Sequence, residues 1–313
     1  ASGGGLSAKS ETYKKLKRIG VPPQQLKPFI GSINTYWGAQ PFTSGPVYFG
    51  IVVIVLFIVG MFVYSGPLRW PLIIITMLSI LLSFGKNMDW FNDLFFNYFP
   101  MYNKFRTPAM ALIIAQCTMP MLGLLGLNVI IKQRASLDLL PKLKKAGIAV
   151  LGFLVLAFLL GVFSDFQNLE PGSNDVQMSA YFDKAFKGQS IMDALVQDRY
   201  AMFKTNLISF GLTTLLIAVI IWFILKEKLR PTHATLALGI LCLLDLWIEG
   251  KDYLNKDNFE SKRKYESKYF KGTGIDQSIK KDPDLSYSVL NLASNTFNET
   301  LTSYHHQSVG GYH

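Results

Sequence analysis

Apolar residues run through this chain in long blocks separated by short polar breaks. Six blocks stand out, at residues 47–64, 70–84, 108–131, 146–163, 202–225 and 232–248. The stretch 99–131 (FPMYNKFRTPAMALIIAQCTMPMLGLLGLNVII) sets the pattern: a cationic lip, then no charge from Pro108 until Lys132. Such a run exceeds the roughly 20 residues that carry a helix across ~30 Å of hydrocarbon. Pro108 suits the first helical turn, where its missing N–H would lack a partner anyway. The second block is short for a span.

Between the second and third blocks lies GKNMDWFNDLFFNYFP. Phe91, Leu94, Phe95 and Tyr98 share one helical face, with Asn92, Asp93 and Asn97 off it. That pattern predicts a short helix in the plane of the membrane interface.

The flanks are polar. Ser10 is placed to cap a short helix over the lysine-rich segment SETYKKLKR. YWGAQPFTSGPVYFG, 36–50, is dense in aromatics, Gly and Pro. It reads either as an aromatic belt at a helix end or as the wall of a substrate cleft, with Trp37 and Gln40 its polar-tipped members. After Glu249 the chain stays polar. Thr273 with Asp276 forms a capping signal for a helix to about 281, Asp282-Pro283-Asp284 is turn chemistry, and 287–292 reads as a strand. The expected fold is an all-α polytopic membrane protein with about six transmembrane helices. An interfacial helix and the start of an external α+β domain complete it. Its parts are an external segment (1–45), a transmembrane helical domain (46–249) and an incomplete external soluble domain (250–313).

Composition supports that class. Charged residues make up 17% of the 313, against about a quarter in soluble domains. The net charge of +10 sits mostly in loops and tails, and no nucleic-acid motif accompanies it. Loops 65–69, 132–145 and 226–231 carry Arg69; Lys132, Arg134, Lys142, Lys144 and Lys145; and Lys226, Lys228 and Arg230. They alternate on one side, which the positive-inside rule makes cytoplasmic. Loops 85–107 and 164–199, the second expected as a small helical cap, then lie outside with both ends of the chain. Both ends read as cut, so the chain is expected to be an internal piece of a longer protein.

Little in the chain resembles a reaction centre. Gly-rich nucleotide loops, H-E-x-x-H and nucleophile elbows are absent from the sequence. Cys117 and Cys242 each sit inside an apolar run and are expected as plain buried thiols. His305, His306 and His313 cluster without an adjacent Cys or carboxylate in sequence, so no metal site is expected. Asp245 falls near the end of the sixth block. A carboxylate there faces protein or water, either as an interfacial structural group or in contact with a polar substrate or with the external loops. Lys104 and Arg106 are the strongest binding candidates. An Arg fork matches phosphate oxygens and Lys adds a point charge; the competing reading is anchorage to lipid headgroups.

YWGAQPFTSGPVYFG, LLSFGKNMDWF, FPMYNKFRTPAM, DLWIEGKDYLNKDNF and TSYHHQSVGGYH, in this order, resemble the YfhO family of bacterial membrane proteins. The resemblance implies a multi-pass protein of the bacterial cytoplasmic membrane, related to GT-C glycosyltransferases. Those enzymes move a sugar from a polyprenyl-phosphate donor to an acceptor on the outer face, here a cell-envelope polymer such as lipoteichoic acid. It also implies that the catalytic acidic residue lies upstream of this chain, leaving Arg106, Lys104, Trp37, Gln40 and Asp245 as substrate-binding candidates. No cofactor is evident besides the lipid-linked sugar itself. The alternatives are a transporter or flippase of envelope lipids, and a non-catalytic membrane scaffold.

Overall fold

The computed structural model describes residues 6, 8–33, 35–37, 47–104, 107–186, 191–254, 256–284, 286–295 and 298–310. The chain divides into two compact units, Ala1–Tyr253 and Leu254–His313.

The first unit is helical: α1 (Glu11–Arg18), α2 (Pro23–Ser32), α3 (Ile51–Val63), α4 (Arg69–Ser83), α5 (Asp89–Tyr98), α6 (Leu112–Lys132), α7 (Leu139–Val162), α8 (Asn174–Ala185), α9 (Met192–Leu225) and α10 (Pro231–Tyr253). All six apolar blocks contain a helix. Four helices are long and apolar enough to cross a membrane: Pro108–Lys132, Leu139–Val162, Met192–Leu225 and Pro231–Lys251. The first of these is α6 with a 3-10 turn in front of it. A fifth candidate is the pair Arg69–Ser83 and Gly85–Tyr98, bent by 113°.

The first block behaves differently from the others. Residues 47–50 are not helical, because Gly50 takes φ +87° and α3 starts only after it. α3 is therefore 13 residues long, short of the roughly 20 that span hydrocarbon. Eight of those residues are buried. A helix apolar on every side belongs in the middle of a bundle, and α3 occupies that place. Val52, Val55 and Val59 pack with Leu127 and Ile130 of α6, Val150 of α7, Ile217 and Ile221 of α9, and Leu238 of α10. Helices in lipid gain from close packing rather than from water exclusion. The α3–α6 contact follows that rule: a methyl group at Gly126 would lie 2.6 Å from Gly60 Cα. Hydroxyls join α4 to α6. Thr76 Oγ1 meets Thr118 Oγ1 at 2.7 Å, and Ser79 Oγ donates to the Ala111 carbonyl at 2.7 Å.

The 113° corner after α4 turns on Gly85, at φ +51°. Asn92 braces it, donating to the Gly85 carbonyl at 3.0 Å and accepting from Tyr102 Oη at 2.8 Å. α5 follows, as its periodicity predicts, with no residue buried. Phe91, Phe95 and Phe99 stack along it at 5.2 and 5.8 Å, while Trp90, Leu94 and Tyr98 stand open. Cys117 departs from expectation: it is exposed on α6 rather than buried. A surface facing lipid is as apolar as a core, so hydropathy alone does not separate the two.

The three basic loops meet at one end of the unit. Lys142 Nζ reaches Ser65 Oγ at 3.4 Å, and Arg134 pairs with Glu227 at 3.1 Å. At the opposite end α1, α2, α8 and the start of α9 enclose a second core of Leu16, Leu26, Ile30, Phe182, Ile191 and Leu195. This is the cap expected for loop 164–199, with α1 and α2 added to it. α9 has 34 residues, about 51 Å at 1.5 Å per residue. It begins ten residues before the expected span, at Met192 rather than 202, and its extra turns belong to the cap. Ser10 caps α1, accepting from the Tyr13 N–H at 3.1 Å.

The second unit carries α11 (Lys262–Tyr269), α12 (Gly274–Ile279) and α13 (Leu301–His305). The Thr273–Asp276 capping box opens α12 as expected. Along the expected strand 287–292, among the described residues, Val289 makes one isolated parallel bridge to Ser308. Asn291 turns its amide to Thr302 Oγ1 at 3.2 Å instead of extending the ladder.

Candidate functional site

The most tightly built polar group in the first unit centres on Arg199. It follows Asp198 in α9, and the two point to different partners. Asp198 accepts from the Glu11 and Thr12 N–H groups at 2.7 and 2.9 Å, filling donors that the first turn of α1 leaves open. Arg199 forks onto Asp175 of α8, Nη1 to Oδ2 and Nη2 to Oδ1, both at 2.8 Å. Neither side chain is more than 1% exposed. Asp175 Oδ2 also accepts from the Asn168 N–H at 2.9 Å. The guanidinium lies 5.4 Å from the centre of the Trp37 ring, a cation–π contact.

Arg199 also donates to the Phe166 carbonyl at 2.8 Å. Phe166 sits at φ +51°, a conformation that a bulky residue keeps only when its surroundings hold it. They do: its ring contacts Trp37 at 5.5 Å, Tyr200 at 5.7 Å and Phe203 at 5.6 Å. Beside that ring opens a cleft of about 430 Å³, walled by Gly161, Ser164, Asp165, Phe166, Gln197 and Tyr200 among others. Its position follows from the sequence. It lies where the apolar run of α7 ends and the polar loop begins, against the turns of α9 just before the run starting at 202. Both walls are mixed: Gly161 and Val162 with Ser164 and Asp165 on one side, and Val196 with Gln197 and Tyr200 on the other. A cleft of mixed walls at that depth suits a molecule with a greasy tail and a polar head.

Of the five residues singled out from sequence, Trp37 is the one that joins this group. Gln40 and Arg106 lie outside the described residues. Lys104 is exposed in the 3-10 turn Tyr102–Lys104. Asp245 points into protein, accepting from Tyr48 Oη at 2.7 Å and from the Ile51 N–H at 2.6 Å. Both partners lie in or just after the 36–50 stretch, as a structural role or contact with an external loop requires. Arg199, Asp175, Asp165 and Tyr200 were not selected by sequence reasoning. A faint signal was present, since Asp198-Arg199 is a charged pair immediately before a long apolar run.

The histidines of the second unit find a carboxylate after all. His306 Nε2 lies 2.9 Å from Asp276 Oδ1, and His305 Nδ1 lies 3.3 Å from Lys280 Nζ. Among the described residues, no group of three His, Cys, Asp or Glu is placed to hold a metal; His313 lies outside them. The Thr273 hydroxyl and N–H, together with His306, hold the Asp276 carboxyl well below the usual carboxylate range. A carboxyl lowered in the folded state contributes stability above its unfolded value, near 4, and loses it as pH falls. Amide protection in α12 is therefore expected to fall progressively as pH drops below about 5, and to go on falling well below about pH 3. Asp276→Asn should flatten that dependence; hydrogen exchange across the same range checks it.

No family model, curated protein or solved structure matches the chain. The class defined by fold and composition is a multi-pass, all-helical membrane protein with a helical cap at one end of its bundle.

Proposed function

We propose that this chain is part of a GT-C-like glycosyltransferase of the bacterial cytoplasmic membrane, as the resemblance to the YfhO family implies. The enzyme would transfer a sugar from a polyprenyl-phosphate donor to a cell-envelope acceptor on the outer face. The observation that carries this reading is the cleft beside Phe166. It sits at the boundary between apolar and polar chain, on the end of the bundle away from the basic loops. By the positive-inside rule those loops face the cytoplasm, which puts cleft and cap outside. In this arrangement α3 with residues 47–50, and α4, bring the spans to six. α5 lies in the interface, and residues 254–313 belong to an external domain. Arg106 and Lys104 would hold the donor phosphate, with Trp37 and Gln40 flanking the sugar.

The test uses the full-length protein in lipid nanodiscs, a polyprenyl-phosphate sugar and an envelope-polymer acceptor. Arg106→Ala is expected to raise the donor KM, and Asp165→Asn to lower turnover, each by about tenfold or more, the weight of a single lost charged contact. Wild-type kinetics in both variants would remove the cleft and the lip from the mechanism. Labelling of Arg106→Cys from the cytoplasmic side alone would overturn the orientation. A flippase is less well supported, because the spans carry few charges at mid-membrane, where transporters place their coupling sites.

A further inference from the structure

A second concavity lies on the cap, in the groove between α2 and α8, with a volume of about 570 Å³. Phe29 and Tyr181 form its platform, their rings 29° from parallel and 6.4 Å apart. Phe186 closes one side, edge-on to Phe29 at 5.9 Å. Gln24 and Gln25, both exposed at the start of α2, and Pro28 complete the rim. Leu26, Ile30 and Phe182 are buried beneath, so the platform is backed by core and needs no ordering when a ligand arrives. No described residue lining the groove carries a charge.

We infer that this groove binds a neutral glycan, one or two sugar rings of a polysaccharide chain. The chemistry is that of an amphipathic ring. A pyranose offers a face of C–H groups and a rim of hydroxyls. Aromatic faces cover apolar area at fixed geometry, and each glutamine amide supplies both donors and an acceptor for hydroxyls. The uncharged lining selects against phosphate-bearing or acidic ligands, whose desolvation it would not repay. The groove lies on the cap rather than on the apolar spans, which places it away from acyl chains. Its binding of a neutral glycan does not rest on the glycosyltransferase reading.

The experiment presents the full chain in lipid nanodiscs to an array of neutral oligosaccharides built from glucose, galactose and N-acetylhexosamines. Titration of the strongest binder follows. Tyr181 is 57% exposed, so its replacement leaves the cap core in place. Tyr181→Ala is expected to weaken binding by about tenfold or more, as loss of an aromatic anchor does, while Tyr181→Phe keeps most of it. The double variant Gln24→Ala/Gln25→Ala should weaken binding without altering thermal stability. The inference is overturned if no neutral oligosaccharide binds. Wild-type affinity in Tyr181→Ala, or a proline-rich peptide binding where the glycans do not, would overturn it equally. Sugar transfer measured in parallel separates the two proposals. Full-length protein that binds glycan at this groove but transfers no sugar overturns the enzyme reading alone.

Discussion

Arg199→Ala is expected to destabilise the first unit by about 3–5 kcal/mol, the effect of removing one partner from a buried ion pair. The variant leaves the Asp175 carboxylate at 1% exposure, with the Asn168 N–H still donating to it. It also strips the Phe166 carbonyl of a donor at the residue held at φ +51°, so the strain there loses its restraint. Arg199→Lys should recover only part, because an ammonium cannot make two parallel bonds to one carboxylate. Arg199→Met with Asp175→Leu should recover most of the loss, since well-packed apolar side chains often equal or exceed a buried pair. Thermal unfolding in detergent, with limited proteolysis of 164–191, follows the effect. The single variant unfolding like wild type would mean that the pair does not hold the cap. The double variant separates the energetic role from a catalytic one. Stability that returns without sugar transfer would place Arg199 or Asp175 at the reaction itself.

The bundle was legible in the sequence because its signal is local. Block lengths, the charge gap from Pro108 to Lys132, the periodicity of α5 and the Thr273–Asp276 capping box each appear within one continuous stretch of chain. What was illegible depends on long-range placement. Arg199 and Asp175 are separated by 24 residues, and Asp198 and Thr12 by 186. Each looks like an ordinary loop charge until the cap folds around it. α3 misled for another reason. Its apolar run is nearly as long as a span, but one glycine at φ +87° makes the helix start late, and burial inside the bundle makes up what length does not. Cys117 and the open faces of α7 and α10 show the limit of hydropathy. Lipid and protein interior ask for the same side chains, so pattern identifies the bundle but not which face of each helix points inward.

Asp245→Ala is expected to cost about 1–3 kcal/mol, and the reason lies in the start of α3. The first turn of any helix leaves backbone donors unfilled, and residues before it normally fill one. α3 has Gly50 at that position, which offers no side chain. The acceptor comes instead from α10: Asp245 Oδ2 takes the Ile51 N–H at 2.6 Å. Its negative charge also suits the positive end of the α3 dipole. The other oxygen takes the Tyr48 hydroxyl at 2.7 Å. Glycine is required here on two counts: φ is +87°, and an added Cβ would crowd Asp245 Oδ2 at 3.3 Å. The central helix of the bundle is thus tied to its last span by one carboxylate. Alanine would orphan both donors, whereas asparagine keeps an acceptor and should cost less than half as much. The measurement must separate this role from the substrate contact also open to Asp245. If the carboxylate caps α3, thermal stability falls and tracks the loss of any sugar transfer, and Tyr48→Phe reproduces part of it. If Asp245 serves a substrate instead, Asp245→Ala unfolds like wild type while donor KM rises, and Tyr48→Phe has no effect on unfolding.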